Sequence, residues 1–574
     1  MSEQQGIYGI DLGTTYSVVA YIDETGRPAV VRNTDGDDTT PSVVYFETAD
    51  NFVVGKTAKE AASFRSDDVI SLIKREMGNQ DYTRTFYGQE LSPSGISALI
   101  LAALAKSAEE ETHRPVKQVV ITVPAYFGLL EKDATKKAGE IAGLDVIGIV
   151  PEPVAAALAY GVTGSADGST FLVYDLGGGT FDITLIKMTN TSVEVLAVDG
   201  DHKLGGTDWD ARLFEYLKDQ TIEQSGDDSI EDDEESLSEL RRLAEETKKA
   251  LTKAESKKVN HRLAGGMATS ITVTRQQFEE LTSDLLEETV TITNRMLADA
   301  EARFPGVRGQ IGDLLLVGGS SRMPMVAERV RKEYPAWDPK MADPDLAVAK
   351  GAALYAAGQT VKLVEAEADG GTAEAGPGTG SGQRTRGLPG AASTEAIAAV
   401  AASTGLEAEQ VEKLAGKTIV NVLPKAVGIK LADDKPNWDD LPDQEKYYIE
   451  HLVHAQTRLP YKADVFTAGT FRANQESIEI EIWEQAGAVP DQALSANHRV
   501  DNAGLIEGLG SLRLPAGSPI DITFEVDAEG TVTLLAVEPN SGKQLKMSVK
   551  IEFISEEQVG KEKAIVSALR RKAG

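Results

Sequence analysis

A glycine run between two apolar segments, Asp175-Leu176-Gly177-Gly178-Gly179-Thr180-Phe181-Asp182, decides the fold of this chain. Residues 171–174 before it and 183–186 after it have the composition of strands. Three successive glycines lose much backbone entropy on folding, so they are favoured where φ must be positive or where another group touches the backbone. Their amides can bind a phosphate, while Thr180 adds a hydroxyl and Asp175 and Asp182 can hold a cation or its waters. A plain glycine hairpin is the alternative.

A second copy of this pattern stands near the N-terminus. Asp11-Leu12-Gly13-Thr14-Thr15 again places Asp-Leu-Gly before small residues and threonine, after the apolar segment 7–10. Two similar loops indicate two similar half-domains that enclose one nucleotide. The repeat therefore favours a phosphate site over a simple turn.

Composition excludes several classes of function. The chain has 574 residues, enough for several domains, and its formal net charge of -32 argues against broad binding to nucleic acid or anionic lipid. It contains no cysteine, which excludes disulfides and cysteine nucleophiles. Residues 1–5 lack a basic region, and the apolar run 98–105 is shorter than the roughly 20 residues of a membrane span. We therefore expect a cytoplasmic protein without a nucleic-acid or membrane partner.

Changes in residue pattern divide the chain into four parts. Residues 1–364 alternate strand-like and helix-like segments, which is typical of an α/β domain. Residues 365–416 are predicted to be a flexible linker that includes a helix, because much of this stretch is rich in Gly, Ala, Glu and Pro. Residues 417–554 show the apolar-polar alternation of an all-β domain. A capping box at Ser555 begins a final helix, 555–574.

Two further patterns are ambiguous by themselves. Glu245, Lys248, Lys249 and Thr252 stand at i, i+3, i+4 and i+7 of a predicted helix and share one face, which is typical of surface salt bridges. A third strand-to-glycine turn, residues 314–322, reads as an ordinary βα turn, although a flat base could lie against its two glycines.

Five segments, in their order along the chain, resemble the DnaK-type, seventy-kilodalton heat-shock chaperones of the actin-like ATPase superfamily. The similarity is strong over residues 7–360 and weaker in the β domain. The segments are Ile10-Asp11-Leu12-Gly13-Thr14-Thr15, Val123-Pro124-Ala125-Tyr126-Phe127, Pro151-Glu152-Pro153 with the alanines after it, Tyr174 to Asp182, and Val317-Gly318-Gly319-Ser320-Ser321-Arg322.

The resemblance implies a fold and a catalytic centre. The fold is an α/β, actin-like, two-lobed nucleotide-binding domain, followed by a β-sandwich that holds extended peptides and by a short C-terminal helix. The cofactors are ATP or ADP and Mg²⁺, with K⁺ as a further candidate. Lys74 matches the family's catalytic lysine, and Glu152 matches the glutamate that arranges the attacking water. Positioning and charge neutralisation are most of what phosphoryl transfer needs.

The resemblance also assigns the remaining site residues. It overrides the salt-bridge reading of the helix face, because the family contacts adenosine there. The catalytic set is Lys74, Glu152, Asp175 and Thr180; the metal set is Asp11, Asp175 and Asp182; the nucleotide-binding set is Gly13, Thr14, Thr15, Gly177, Gly178, Gly179, Thr180, Glu245, Lys248, Lys249, Thr252, Gly318, Gly319, Ser320, Arg322 and Asp345.

Departures from the family pattern concern the coupling between domains. The family usually continues after Phe127 with Asn-Asp-Ala-Gln-Arg, where this chain has Gly128-Leu129-Leu130-Glu131-Lys132. Lys132 thus replaces an arginine that relays nucleotide state from Pro124, and a lysine lacks the bidentate fork. The linker reads Lys417-Thr418-Ile419-Val420, an acidic, aromatic insertion fills 432–447, and the chain ends soon after Ser555, which predicts no long lid. We expect weaker or rewired coupling.

Two functions fit these observations. The first is an ATP-dependent chaperone that hydrolyses ATP slowly with Mg²⁺ to ADP and phosphate, and that binds unfolded or extended polypeptide, with J-domain and nucleotide-exchange co-chaperones as candidate partners. Ile429, Phe466 and Ile478 are its candidate cleft residues, although sandwich core explains them equally well. The second is a nucleotide-gated adaptor with one dedicated protein partner. The β domain disfavours a third possibility, a sugar kinase or filament protein of the same superfamily.

Overall fold

Two main sheets with the same strand arrangement lie at the centre of the first 360 residues. The computed structural model describes residues 6–163, 168–263, 267–341, 343–368, 393–433, 435–487, 489–500, 504–528, 530–542, 544–549 and 553–571. The elements of the first lobe are β1 (Ile7–Asp11), β2 (Tyr16–Ile22), β3 (Pro28–Val30), β4 (Thr40–Pro41), β5 (Val44–Thr48), β6 (Asn51–Val54), α1 (Lys56–Ala61), β7 (Val69–Ile70), β8 (Arg84–Phe86), β9 (Gln89–Leu91), α2 (Pro93–Thr112), β10 (Gln118–Val123), α3 (Leu129–Ile141), β11 (Asp145–Pro151) and α4 (Glu152–Thr163).

The second lobe repeats the plan of the first. Its elements are β12 (Ser169–Leu176), β13 (Phe181–Met188), β14 (Ser192–Asp201), α5 (Gly206–Ser225), α6 (Glu234–Leu251), β15 (Ser256–Arg262), β16 (Ala268–Thr274), α7 (Arg275–Leu281), α8 (Ser283–Arg303), β17 (Ile311–Val317), α9 (Pro324–Glu333), β18 (Pro339–Met341) and α10 (Ala347–Ala368). Short 3-10 helices in the two lobes span Ser66–Asp68, Ile73–Glu76, Asp228–Asp232, Val307–Gln310 and Gly319–Arg322.

The strand order shows the repeat. In the first sheet β1 lies between its antiparallel neighbour β2 and its parallel neighbour β10, with β3 and β11 outside them. In the second sheet β12 lies in the same way between antiparallel β13 and parallel β17, with β14 and β18 outside. Each glycine loop joins the first two strands of its sheet. The similar loops therefore belong to similar half-domains.

Helices α4 and α10 pack closely against the sheets because their contact faces carry small residues. A Cβ on Gly351 of α10 would lie 1.7 Å from the backbone oxygen of Ala155 in α4. A Cβ on Gly9 of β1 would lie 2.2 Å from the backbone nitrogen of Ala353 in α10. The buried faces of both helices join residues of both sheets in one hydrophobic core. The lobes are therefore joined by backbone-to-backbone packing.

The connection after α10 is largely ordered where the structure describes it. Residues 369–392 of the predicted linker lie outside the described residues. The rest forms α11 (Thr394–Thr404), α12 (Ala408–Gly416) and β19 (Thr418–Val420). Both helices pack on α10, and β19 adds a parallel strand beside β14 of the second lobe. The sequence predicted one helix here, whereas two are present and join the core of the domain.

The β domain is a sandwich of antiparallel sheets. Its main sheets have the orders β21-β20-β25-β26 and β22-β28-β29-β30, with β23 also on β28. Its elements are β20 (Val427–Ala432), α13 (Asp443–Lys446), β21 (Tyr447–Val453), β22 (Tyr461–Lys462), β23 (Phe466–Gly469), β24 (Ile478–Ile480), β25 (Ile482–Gln485), β26 (Asn497–Arg499), β27 (Gly504–Ile506), β28 (Pro519–Val526), β29 (Val532–Val537), β30 (Gln544–Val549) and 3-10 helices at Trp438–Asp440, Leu494–Ala496 and Leu509–Leu512.

The last described segment returns to the first lobe. It consists of α14 (Glu556–Ala568) and β31 (Arg570–Arg571), and β31 pairs in parallel with β6. Phe553, Val559 and Val566 are buried in the same core as α2 and α3. The C-terminal helix is thus part of the first lobe. None of the helices that the structure describes has both the length and the hydropathy of a membrane span.

We predict that Gly351→Ala separates α4 from α10. The new methyl group meets backbone atoms, which cannot turn aside, so the free energy of unfolding should fall by about 1–3 kcal/mol or more. Gly416→Ala, at the end of α12, is the matched control because no atom lies within 4 Å of its Cβ position. Thermal unfolding of both variants measures the difference, and equal Tm values would contradict the close packing.

Candidate functional site

The two glycine loops face each other across the lobes. A Cβ on Gly178 would lie 1.9 Å from Thr15 Oγ1, and a Cβ on Gly179 would lie 2.3 Å from Thr14 Cγ2. The turn itself is closed by the N–H of Gly177, which donates to the carbonyl of Thr180 at 3.0 Å. None of these three glycines has a left-handed φ. They are needed for the close approach of the other loop and not for an unusual backbone conformation.

A pair of glycines before α5, Gly205 and Gly206, supports the glycine loop of the second lobe. The N–H groups of Gly206 and Thr207 donate to the carbonyls of Gly177 and Gly178 at 3.0 and 2.7 Å. Gly205 lies so close that its Cβ would be 2.5 Å from the carbonyl carbon of Gly179. In the sequence alone, residues 205–208 have the pattern of a turn into a helix that contains Trp209 to Leu217. The pair of glycines directly before a helix was the available signal for a site residue.

An arginine of the first lobe crosses to the same loop. Arg75 Nε donates to the carbonyl of Gly179 at 2.9 Å, and Arg75 Nη2 pairs with Asp208 Oδ2 at 2.7 Å. Arg75 follows Lys74 directly in the 3-10 helix Ile73–Glu76. This short helix therefore supplies two basic side chains to the cleft between the lobes: Lys74 in its interior and Arg75 at its rim. The contacts of Arg75 with Gly179 and Asp208 cannot be predicted from sequence spacing, because these residues are far apart in the chain.

A buried ion pair lies between the loops. Lys74 Nζ is 2.5 Å from Glu152 Oε1, and both side chains are almost entirely buried. The ammonium group also lies 5.9 Å from the centre of the Phe127 ring. Glu152 begins α4, so within the first lobe the pair connects that helix to the 3-10 helix Ile73–Glu76.

Three further carboxylates surround this pair, and their ionisation is unfavourable. Burial, then the charge of Glu152, raises the pKa of Asp11 to about 7, whereas Lys74 lowers it. Burial and neighbouring carboxylates raise the pKa values of Asp175 and Asp182 well above the ordinary range. Lys74 is the cation that opposes the shift in all three. The centre therefore carries more negative charge than one ammonium group neutralises.

These carboxylates fit a hydrated divalent cation. Asp182 Oδ1 accepts from the N–H of Ala125 at 3.0 Å, whereas its buried Oδ2 has no hydrogen-bond partner. Asp11 Oδ1 accepts from Thr122 Oγ1 at 3.0 Å. Within the described ranges no three His, Cys, Asp or Glu side chains converge as direct metal ligands. Mg²⁺ commonly keeps several waters, and carboxylates that hold those waters match this arrangement.

The helix face of α6 lies at the mouth of the cleft. Glu245 pairs with Lys59 of the first lobe at 2.5 Å and with Lys249 at 2.7 Å, and both lysines contact the Tyr16 ring. Burial raises the pKa of Glu245, but the charges of these two lysines outweigh burial and lower the pKa to about 2. Lys59 and Tyr16 were missed from the sequence. They complete an ionic contact that joins the two lobes.

The other predicted adenosine residues form a second group. Lys248 pairs with Asp210 at 2.7 Å, and its Nζ donates to the carbonyl of Gly206. Gly206 in turn leaves room for Ser320, since its Cβ would lie 2.2 Å from Ser320 Oγ. Gly318, Gly319 and Arg322 lie on the turn after β17: Gly318 donates to the carbonyl of Pro344, and Arg322 pairs with Asp345 at 2.5 Å. Asp345 lies between β18 and α10, beside Gly319. Thr252, at the end of α6, donates to the carbonyl of Lys249.

The two residues predicted to relay nucleotide state, Pro124 and Lys132, lie in the segment that runs from the end of β10 into α3. Pro124 follows β10 and precedes Ala125, whose N–H binds Asp182. Lys132 lies in α3, where burial lowers its pKa while Glu484 and Glu131 raise it. Glu484 belongs to the sandwich, so Lys132 faces the boundary between domains.

The predicted cleft residues are distributed unevenly. Ile429 is 1% exposed and lies in the sandwich core, where it pairs with Ile482. Phe466 and Ile478 are partly buried and pack against the same core. The structure therefore leaves Phe466 and Ile478 partly accessible and Ile429 inaccessible.

Fold and site together define a two-lobed nucleotide-binding protein of the actin-like class with an attached β-sandwich. A family model described as "Hsp70 protein" matches residues 7–85 and 80–362. The chain is 34% identical over 551 residues to "Chaperone protein DnaK" of Halobacterium salinarum, covering 95% of this chain and 75% of the relative. It is 32% identical over 574 residues to "Chaperone protein DnaK" of Thermosipho melanesiensis, covering 98% and 83%.

The chain belongs to the Hsp70 family. The family and the fold class expected from the sequence are thereby confirmed. Membership supports an ATP-dependent chaperone function with ATP or ADP and Mg²⁺ as cofactors and unfolded polypeptide as a partner.

We predict opposite effects of Asp11→Asn on stability and binding. Removal of one crowded buried charge should raise the Tm of the nucleotide-free chain at pH 7.5, because Asn keeps the acceptor for Thr122. Affinity for ADP with Mg²⁺ should fall about tenfold or more, since a charged contact to the cation's waters is lost. Differential scanning fluorimetry and calorimetry measure both. Asp67→Asn, at an exposed position of the 3-10 helix Ser66–Asp68, is the control; unchanged Tm and affinity in Asp11→Asn would refute the crowding.

Proposed function

We propose that this chain hydrolyses ATP between its lobes and couples the nucleotide state to the binding of an extended polypeptide by the sandwich. The observation that carries the proposal is the Lys74–Glu152 pair at 2.5 Å among three buried carboxylates, between the two glycine loops. Family membership supports the same activity in general terms.

Each part of the centre has a role in phosphoryl transfer. The Lys74 ammonium neutralises charge on the transferred group, and Glu152, held by that lysine, orients the attacking water. The loops 13–15 and 177–180 would hold phosphate oxygens through the Thr180 hydroxyl and backbone amides other than those of Gly13 and Gly177, which donate to Ser17 and Thr180. Asp11, Asp175 and Asp182 would hold Mg²⁺ through its waters, and K⁺ is a second candidate for this set. The bound cation would supply the charge neutralisation that one lysine cannot.

The sandwich is the proposed site for polypeptide. An extended segment can pair with sheet edges while alternate side chains enter apolar pockets. Phe466 and Ile478 are the accessible candidates, and Ile429 would contribute only if the core opened. J-domain and nucleotide-exchange co-chaperones remain the proposed further partners.

One observation favours the adaptor alternative. The acidic insertion places Trp438 at 4.7 Å from the Phe471 ring, and Asp439 pairs with Arg472 at 2.9 Å. This contact joins the loop between β20 and β21 to the loop between β23 and β24, beside the region where the resemblance locates the peptide cleft. A varied set of peptides would have to part it, whereas one dedicated partner could bind its outer surface.

We predict that Lys74→Ala lowers single-turnover ATP hydrolysis about 100-fold or more and leaves nucleotide binding largely intact. The loss of one preorganised charge at the reacting group has this magnitude. Lys56→Ala, an exposed lysine at the start of α1, is the control. Rapid-quench measurements with ATP and Mg²⁺ give the rate, and unchanged turnover in Lys74→Ala would refute the assignment of the site.

A second experiment separates the two functions. If the chain is a chaperone, unfolded peptides of varied sequence should accelerate single-turnover hydrolysis, and ATP should speed their release. If it is an adaptor, such peptides should have no effect, and a pull-down should give one stoichiometric partner. If the chain is a chaperone, Trp438→Ala should increase peptide binding, because the contact between Trp438 and Phe471 no longer has to be broken.

A further inference from the structure

Helix α3 begins without a capping side chain of its own. Its N-cap residue is Gly128, and the N–H of Leu129 donates to Glu484 Oε1 of β25 at 2.9 Å. Where the family usually has Asn-Asp, which are effective caps, this chain has Gly128-Leu129. The sandwich therefore supplies the cap that the first lobe lacks.

Gly128 makes this contact possible. A Cβ on Gly128 would lie 2.4 Å from Glu484 Oε2, inside any acceptable contact distance. The φ of Gly128 is −75°, which every residue adopts easily, so the backbone does not require glycine. Its absent side chain leaves space for a carboxylate that is only 1% exposed. The two domains are matched at this point.

The capped segment also reaches the phosphate site. Ala125 binds Asp182 through its N–H, and Phe127 places its ring 5.9 Å from the Lys74 ammonium group. Four peptide bonds separate Ala125 from Leu129. A displacement at Leu129 is thus carried to the carboxylate centre by a short, buried piece of backbone.

Charged groups from several elements face Glu484. Lys425, just before β20, pairs with Glu131 of α3. Lys132 of α3 also faces Glu484, and His498 of β26 faces Lys425 and Glu131. His202, in the turn before α5, faces the same Lys425 and Glu131. Burial raises the pKa of Glu484 to about 7; Glu131 also raises it, while Lys425 and Lys132 lower it.

We propose that Glu484 is a positioning residue for the ATP site. By capping α3 from the sandwich it holds residues 124–129 against Asp182 and Lys74, and its proton occupancy sets how firmly the two domains are held together. This inference rests on the proposed ATPase function for its kinetic consequence, but the cap itself is independent of that function.

The sign of the pH effect follows from the raised pKa. When the domains separate, Glu484 meets water and its pKa returns toward about 4.5, so the docked state binds the proton more tightly. Docking is then strongest at low pH and weakens as pH rises through the interval from about 4.5 to 7. Lys425, Lys132 and the two histidines act on the same cluster, so the comparison must be made against a variant at position 484.

Hydrogen exchange at the Leu129 amide reads the cap directly. In the full chain with ADP and Mg²⁺, Glu484→Ala should speed exchange in peptides that cover 126–132 by about tenfold or more, measured against wild type at each pH. Glu484→Gln keeps a carbonyl acceptor and should restore the protection, with no weakening of docking from pH 6 to pH 8. Gly128→Ala should mimic Glu484→Ala, and the two together should add nothing further.

Glu562 provides the matched control. This buried carboxylate accepts from the N–H and Oγ of Ser92 at the start of α2, and Gly95 leaves room for it. Glu562→Gln should leave exchange at 126–132 unchanged. If Glu484→Ala has the exchange of wild type, or if Glu484→Gln behaves like Glu484→Ala, the positioning role is refuted.

ATP turnover supplies the second readout. Glu484→Ala should change kcat while the KM for ATP stays constant, and Glu484→Gln should flatten the wild-type pH profile of kcat between pH 6 and 8. Absence of turnover in wild type would refute the ATPase proposal, and the exchange result would still decide whether Glu484 caps α3. A pH profile that is identical in wild type and Glu484→Gln would refute the proton dependence.

Discussion

The ion pair between Lys74 and Glu152 is the interaction on which the centre of the molecule depends. Burial of a carboxylate is costly unless a cation compensates it, and here one ammonium group faces Glu152, Asp11, Asp175 and Asp182. The protein holds this excess negative charge because α4, the two glycine loops and the sheets fix the backbone around it. A metal bound with its nucleotide at this centre, as proposed, would relieve charge repulsion that folding has already built in.

Much of this could be predicted from the sequence, because the decisive signals are local. The repeated Asp-Leu-Gly pattern predicted two similar loops for phosphate, and the structure shows that these loops face each other and that their glycines serve close approach. Arg75, Lys59 and Gly205 were missed because each acts through a partner far away in the chain. The two helices at 394–416 were only half anticipated, since their short apolar faces become informative only beside α10.

The sandwich and the segments on either side of it contact the nucleotide-binding lobes in ways of different character. Strand β19 extends the sheet of the second lobe through backbone hydrogen bonds, which are insensitive to side-chain charge. The Glu484 and Lys425 contacts with α3 are polar and buried, and so respond to the state of a few groups. The packing of α14 on α2 and α3 combines the buried Val559 and Val566 with the Glu562 carboxylate, which accepts from Ser92. One of the departures from the family pattern, residues 128–132, lies at the polar contact with Glu484.

The return of α14 and β31 to the first lobe has a consequence for synthesis on the ribosome. The core that contains α2 and α3 is completed by residues 553–571, which emerge some 400 residues after α4. At typical elongation rates of 5–20 residues per second, this delay is on the order of 20–80 s. During that time the nascent first lobe exposes the apolar surface that Phe553 and Val566 will cover. A member of a chaperone family thus itself passes through an interval in which it presents the kind of surface that chaperones protect.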